Sequence, residues 1–133
     1  MTKKEISELF CAITGCAIKV HKSLGPGLLE SVYEKCLKHE LVNSGYHVVS
    51  QISRPIENEG LVIENELRLY LLVNKTVVVE LKTVENILPV HEVQLLRYMK
   101  SLDFPQGLLI NFQTHHLTKG IKPFVNEYYG RLA

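Results

Sequence analysis

The stretch that decides the fold is Val77-Val78-Val79-Glu80-Leu81-Lys82-Thr83, which places a carboxylate and an ammonium group two residues apart in an apolar run. An apolar run of this length predicts a β-strand that is buried on both faces, as in the centre of a sheet. Residues two apart in a strand point to the same face, so Glu80 and Lys82 share one face, and Val79 and Leu81 share the other. An isolated Glu-x-Lys pair is as compatible with a structural role, in an ion pair or an exposed edge strand, as it is with a functional site. Its meaning therefore depends on the other motifs of the chain.

Length and composition predict a single globular domain over residues 1–133. The chain is 46% hydrophobic and 22% charged, which is typical of a folded domain with one core. The sequence contains no apolar run near the roughly 20 residues that span a bilayer, and its N-terminus has an amphipathic pattern instead of a signal-peptide core. We therefore expect a cytoplasmic protein that makes no use of a membrane.

Charge and cysteine content narrow the possible partners. The net charge is only +1, so binding to nucleic acid would require a local basic patch. Cys11, Cys16 and Cys36 lack the spacing of metal ligands and are expected to be reduced and mostly packed within helical segments.

The periodicity of apolar residues predicts the element order αα-βββ-α-ββ. Helices are predicted from about residue 3 until just before Gly25, over about 28–44 and over about 90–102. Strands are predicted over 47–52, 66–73, 76–83, 107–112 and 121–126, with a tight turn at Asn74-Lys75. Pro123 favours an edge position for the last strand.

The second helix is predicted to place Glu30 at the rim of its buried face. That face is expected to carry Leu29, Val32, Tyr33, Cys36 and Leu37. The solvated face is expected to carry Ser31, Glu34, Lys35 and Lys38. Glu40 falls on the apolar side, where it either pairs with a base or bends out to water.

Four motifs occur in one order along the chain. They are Gly27-Leu28-Leu29-Glu30-Ser31-Val32-Tyr33, Val79-Glu80-Leu81-Lys82, Pro89-Val90-His91-Glu92-Val93-Gln94-Leu95-Leu96-Arg97-Tyr98 and Gly107-Leu108-Leu109-Ile110-Asn111-Phe112. Together they resemble the GxxExxY family, a bacterial and archaeal group of the PD-(D/E)XK nuclease superfamily. The resemblance covers about residues 6–125, and four motifs in order are far more specific than any one of them.

This resemblance implies an α/β protein with a restriction-endonuclease-like αβββαβ core on a mixed sheet, here with an additional N-terminal helix. In such nucleases acidic residues bind Mg²⁺, and a lysine positions or helps to activate the water that attacks a phosphodiester. Transferred by motif, the catalytic roles fall on Glu30, Glu80, Lys82 and Gln94, with Mg²⁺ held by Glu80 and Glu30. Mg²⁺ prefers such carboxylate oxygens together with water and phosphate oxygens. DNA or RNA is the implied partner, and a homodimer is compatible with the family.

The sequence departs from the family pattern at one metal-ligand position. Where the family reads approximately R-x-D-L-L-V, this chain reads Arg68-Leu69-Tyr70-Leu71-Leu72-Val73, so Tyr70 replaces the aspartate. A neutral phenol, with a reference pKa of about 10, is a poor ligand for Mg²⁺. Glu66 shares the strand face of Tyr70 but lies about 13 Å away along the strand, at roughly 3.3 Å per residue. Binding of Mg²⁺ by Glu30 and Glu80 alone is therefore expected to be weak, and the directions of Glu85 and Glu92 are left open.

Three functions from different classes are compatible with this sequence. The chain is a metal-dependent nuclease with impaired or absent activity, a catalytically silent module that binds nucleic acid or a protein, or a structural or oligomerisation module. Glu80 and Lys82 favour the first two, because a structural module needs no charged pair at the end of a central strand. Tyr70 favours the last two. We also predict that Glu30, Tyr70, Glu80, Lys82 and Gln94 converge in one cleft on one side of the sheet.

Overall fold

The predicted order of helices and strands is confirmed in the computed structural model. It describes the backbone of the chain and the side chains of residues 1–50, 57–62 and 71–133. Tyr70, together with Glu66 and Arg68, lies outside the residues whose side chains are described, so the interpretation of Tyr70 stays a prediction. Among the described residues, no helix has both the length and the apolar character needed to cross a membrane.

Four helices and five strands build the domain. The helices are α1 (Lys3–Leu24), α2 (Glu30–Asn43), α3 (Pro89–Ser101) and the short α4 (Glu127–Gly130), with a single 3₁₀ turn at Leu117–Gly120. The strands are β1 (Val48–Asn58), β2 (Leu61–Val73), β3 (Val77–Lys82), β4 (Gln106–Asn111) and β5 (Ile121–Val125).

The strands form one mixed sheet in the order β1-β2-β3-β4-β5. Only β3 and β4 pair in parallel, joined by a crossover through α3, while the other neighbours are antiparallel. The carboxyl ends of β3 and β4 therefore meet at the same edge of the sheet. The predicted central position of the Glu80 strand and the predicted edge position of the Pro123 strand are both confirmed.

Helices cover both faces of β3. On one face, α1 and α2 pack against Val77, Val79 and Leu81, which are fully buried. On the other face, Val78 packs with Leu95 and Met99 of α3. Because side chains alternate along a strand, Glu80 and Lys82 lie on the same face as Val78, which is the face that α3 covers. The sequence predicted that these two side chains share a face.

Helix α3 begins at a turn with its own local support. Pro89 occupies the first position, where its missing N–H costs nothing, and the Nδ1 atom of His91 accepts a hydrogen bond from the backbone N–H of Leu88 at 3.0 Å. The Pro-Val-His part of the third motif thus serves to start the helix.

The first two strands are longer than the sequence predicted, since β1 continues to Asn58 and β2 begins at Leu61. Their connection at Glu59 and Gly60 has positive φ angles of 48° and 85°, which a two-residue hairpin turn requires. Polar and charged residues around this turn hide the alternation, and the Glu-Gly pair is the signal that could have revealed it. The predicted turn at Asn74-Lys75 is confirmed, with φ angles of 50° and 53°.

Helix α2 corrects three predictions about its faces. The helix begins at Glu30, so Leu29 precedes its first turn and is 74% exposed instead of buried. Glu34 is only 4% exposed instead of solvated. The helix turns the set Tyr33, Glu34, Leu37 and Leu41 inward, which follows the three-and-four spacing of one helix face. Val32, expected to be buried, is only partly so.

The position of Glu40 was left open by the sequence, and the structure resolves it. The Glu40 carboxylate forms an ion pair with the Nζ atom of Lys19 at 3.0 Å, which joins α2 to α1.

Gly107 sets how closely α3 approaches the sheet. A Cβ atom at this position of β4 would lie 2.7 Å from the Met99 Sδ atom and 3.0 Å from a Leu95 methyl group. We predict that Gly107→Ala lowers the free energy of unfolding by about 1–3 kcal/mol, the usual cost of overpacking a core. Urea denaturation followed by circular dichroism measures this change.

Gly15→Ala is the matched control, since nothing lies within 4 Å of a Cβ atom at that helical position. Alanine there should raise stability by up to about 1 kcal/mol, because it is a better helix former. Equal effects of the two substitutions would contradict the close contact at Gly107.

Candidate active site

The carboxylate of Glu80 lies near the end of the central strand and is 5% exposed. Its Oε1 atom lies 3.6 Å from the Nζ atom of Lys82, on the same face of β3. Its Oε2 atom is buried and, in the described part of the chain, has no hydrogen-bond partner. A buried charge with a single partner is costly, so this carboxylate has capacity for a further cation or a proton.

Glu30 reaches the end of β3 from the first turn of α2. Its Oε1 atom accepts a hydrogen bond from the backbone N–H of Thr83 at 3.3 Å. Helix α2 packs on the face of the sheet opposite α3, and Glu30 contacts the end of β3 through this hydrogen bond. Its negative charge contributes to the electrostatics of Glu80.

The Gly27-x-x-Glu30-x-x-Tyr33 motif fixes Glu30 through a hydrogen-bonded loop. Gly27 has a φ angle of 104°, a conformation that glycine adopts without strain. The Tyr33 hydroxyl donates to the carbonyl of Gly25 at 2.5 Å and accepts from the N–H of Leu28 at 3.2 Å. The tyrosine ring is fully buried and stacks on Phe112, with ring centroids 4.4 Å apart. Each named residue of the motif therefore has a structural task, and Glu30 is held at the start of the helix.

Burial raises the pKa of Glu80 from its ordinary value of 4.5 to about 7. The Lys82 ammonium opposes this shift, while the charge of Glu30 adds to it. A pKa near 7 is unusual for a glutamate. Such shifts are common at functional sites, although structural ion pairs also produce them.

Gln94 is exposed on α3, and its place in this group stays a prediction. The neighbouring Leu95 is the residue that α3 turns inward. Of the five residues expected to converge, the structure brings together Glu30, Glu80 and Lys82, while the Tyr70 side chain lies outside the described residues.

Asn111 is a site residue whose role sequence reasoning missed. It lies beside Lys82 in the parallel register and is 7% exposed. Its Nδ2 group donates to the carbonyl of Val84 at 2.8 Å, and its Oδ1 atom accepts from the N–H groups of Val84 and Gln113 at 3.2 and 3.1 Å. The amide thus anchors the loop after β3, including the neighbourhood of the Thr83 N–H that binds Glu30. A polar residue ending an otherwise apolar strand was the available signal.

The residues present meet part of what Mg²⁺ requires. Glu80 offers a buried oxygen that has no partner among the described residues, and Glu30 lies close enough to influence the pKa of Glu80. Among the described residues, no group of three or more His, Cys, Asp or Glu side chains could hold a metal ion. Glu85 lines a neighbouring cavity, but it is not among the charges that shift the pKa of Glu80. Two carboxylates with water can hold Mg²⁺, so Glu80 and Glu30 would form a minimal site.

The raised pKa of Glu80 predicts a pH-dependent stability. Because the folded state holds the proton more tightly than the unfolded state, the stabilisation from Glu80 is complete below about pH 4.5 and is lost as the pH rises to about 7. A difference of about 2.5 pKa units corresponds to at most about 3 kcal/mol. Glu80→Gln should remove this contribution and be more stable than the wild type at pH 8.

Urea denaturation of both proteins at pH 5 and pH 8 measures this difference. The two proteins differ only at position 80, so all other titrating groups are the same in both. Glu8→Gln, on the exposed side of α1, is the control for loss of one carboxylate. If wild type and Glu80→Gln lose the same stability between the two pH values, Glu80 is not the titrating group.

Comparison with known proteins adds one positive result. A family model described as the PD-(D/E)XK nuclease superfamily matches residues 7–124. Neither the curated proteins nor the solved structures include a match to this chain.

Proposed function

The chain belongs to the PD-(D/E)XK nuclease superfamily, and we propose that it is a nucleic-acid-binding domain of the GxxExxY group whose Mg²⁺-dependent phosphodiesterase activity is impaired or absent. The impairment is attributed to Tyr70, which occupies the sequence position of a metal-binding aspartate. DNA or RNA is the proposed substrate class, through the phosphodiester group that both share.

The buried Glu80 carboxylate is the observation that carries this proposal. One of its oxygens is next to Lys82, and the other has no partner within the described residues. An apolar residue would fill the position without the cost of burying a charge, and such replacements are often neutral or stabilising. A buried carboxylate with spare coordinating capacity is better explained by chemistry than by packing.

The neighbouring residues have distinct proposed tasks. Lys82, whose side chain is 18% exposed, can donate hydrogen bonds to a water molecule or to a phosphate oxygen near Glu80. Glu30, fixed by the Thr83 N–H, supplies a second acidic oxygen at the strand end. When bound, Mg²⁺ stabilises negative charge on the phosphate and lowers the pKa of its water.

A catalytically silent module that binds nucleic acid or a protein is the alternative. It rests on the same substitution, because a site with one acidic ligand missing can keep its fold and its binding surface while losing the reaction. The two proposals differ in whether the residual carboxylates support metal binding.

Restoring the aspartate tests the role assigned to Tyr70. We predict that Tyr70→Asp strengthens Mn²⁺ and Mg²⁺ binding by at least tenfold, because it supplies the missing anionic ligand, and that it increases cleavage of DNA. Isothermal titration calorimetry with each metal and a gel assay on labelled DNA measure the two effects. Tyr70→Asp combined with Lys82→Ala should bind metal without cleaving.

Two controls separate ligand chemistry from loss of the tyrosine ring. Tyr70→Asn has nearly the same shape as the aspartate but no charge, and it should leave metal binding weak. Glu80→Ala in the Tyr70→Asp background should abolish the gain, and circular dichroism must show that each variant is folded. Rapid Mg²⁺-dependent cleavage by the wild type, unchanged by Tyr70→Asp, would overturn the impaired site.

A further inference from the structure

A polar groove lies at the carboxyl ends of β3 and β4, beside the Glu80 site. One cavity at these strand ends, of about 340 Å³, is lined by polar side chains that include Asn86, Asn111 and Gln113, by Lys119 and Lys122, and by the carboxylates of Glu85 and Glu92. We call this cavity and its lining the strand-end groove. In sheets with parallel strands, ligands commonly bind outside these carboxyl ends.

The groove lies next to the candidate active site in the strand register. Leu109, which lines it, is the partner of Glu80 in the parallel register, and Asn111 is the partner of Lys82. Gln113 and Glu85 line both this cavity and a second one that includes Gly27 and Thr83. A strand of ligand could therefore extend from the Thr83 end past Gln113 to the two lysines.

Lys119 supplies a positive charge to this groove. Its side chain is exposed, and it forms no ion pair within the part of the chain that the structure describes. Lys122 also lines the groove, but its ammonium is paired with Glu92. An anion can therefore contact Lys119 directly, whereas at Lys122 it must compete with a carboxylate.

Neutral donors add to the charge of the lysines. Gln113 uses its Oε1 atom to accept from the N–H of Gly27 at 3.0 Å, which leaves its amide N–H groups for another acceptor. Asn86 also lines the cavity, whereas the hydroxyl of Thr114 already donates to the carbonyl of His116 at 3.4 Å. Lysine and amide donors together are typical of contacts to phosphate oxygens.

We propose that the strand-end groove binds a second phosphate of a nucleic-acid strand, adjacent to the phosphate at Glu80 and Lys82. Lys119 is its principal contact, and Lys122 contributes to the extent that its pair with Glu92 opens. The identity of the ligand rests on the proposed function. The groove supplies the local basic contact that a protein of net charge +1 requires.

Lys119→Gln tests the groove with a fluorescein-labelled single-stranded oligonucleotide and the matching duplex, in EDTA. We expect the association constant to fall roughly three- to tenfold at low salt. The slope of its logarithm against the logarithm of salt concentration should decrease in size by about 0.7 for the single strand or about 0.9 for the duplex, as for loss of one phosphate contact. Fluorescence anisotropy measures both quantities.

Lys75→Gln is the matched control, because Lys75 is exposed in the turn before β3, at the opposite end of that strand. It removes the same charge and should leave the affinity and the slope near those of the wild type. Glu92→Gln should act in the other direction, tightening binding by releasing Lys122, while Glu8→Gln on α1 should have a much smaller effect.

The outcomes separate this inference from the proposed function. Equal weakening by Lys119→Gln and Lys75→Gln, or no weakening by Lys119→Gln, would overturn the groove but leave nucleic-acid binding intact. No binding of either oligonucleotide by the wild type would overturn both the groove and the proposed nucleic-acid partner. Because EDTA removes divalent metal, a failure of Tyr70→Asp to gain metal binding leaves the result at Lys119 unaffected.

Discussion

Burial of the Glu80 carboxylate on the central strand is the constraint on which the site depends. Helices cover both faces of β3, and α3 lies on the face that carries Glu80 and Lys82. The same packing that stabilises the strand removes water from the carboxylate and raises its pKa to about 7, and one of its oxygens has no hydrogen-bond partner among the side chains and backbone that the structure describes. The chemistry available to Glu80 is therefore a direct consequence of how the sheet is covered.

The loops at the strand ends complete the site by hydrogen bonds instead of by apolar contacts. Tyr33 fixes the turn before α2 through its hydroxyl group, and Asn111 fixes the loop after β3 through its amide. Glu30 joins these two loops by accepting from the Thr83 N–H. Substitution of Tyr33 or Asn111 would consequently disturb the position of Glu30 through these loops and not through a change at Glu80 itself.

Periodicity and turn chemistry were sufficient to predict the parts of the fold that depend on local sequence. The bounds of α1, the central position of β3 and the turn at Asn74-Lys75 all follow from such patterns. The burial of Glu34 and the exposure of Leu29 did not, because both depend on where α2 begins and how it rotates against the sheet. The exposure of Gln94 likewise depends on which face α3 turns inward. The pairing of Glu80 with Lys82 could be predicted, since strand alternation alone determines it.

Proton binding and metal binding at Glu80 satisfy the same electrostatic need. Lys82 compensates only part of the cost of burying the carboxylate, and the nearby charge of Glu30 increases that cost. A proton removes the charge, whereas a divalent cation balances both carboxylates at once, so the two compete for one site. An aspartate at position 70 would add a further negative charge, which a cation could offset but the proton on Glu80 could not. The role proposed for Tyr70 follows the same logic, because a neutral tyrosine adds no charge that a bound metal would have to balance.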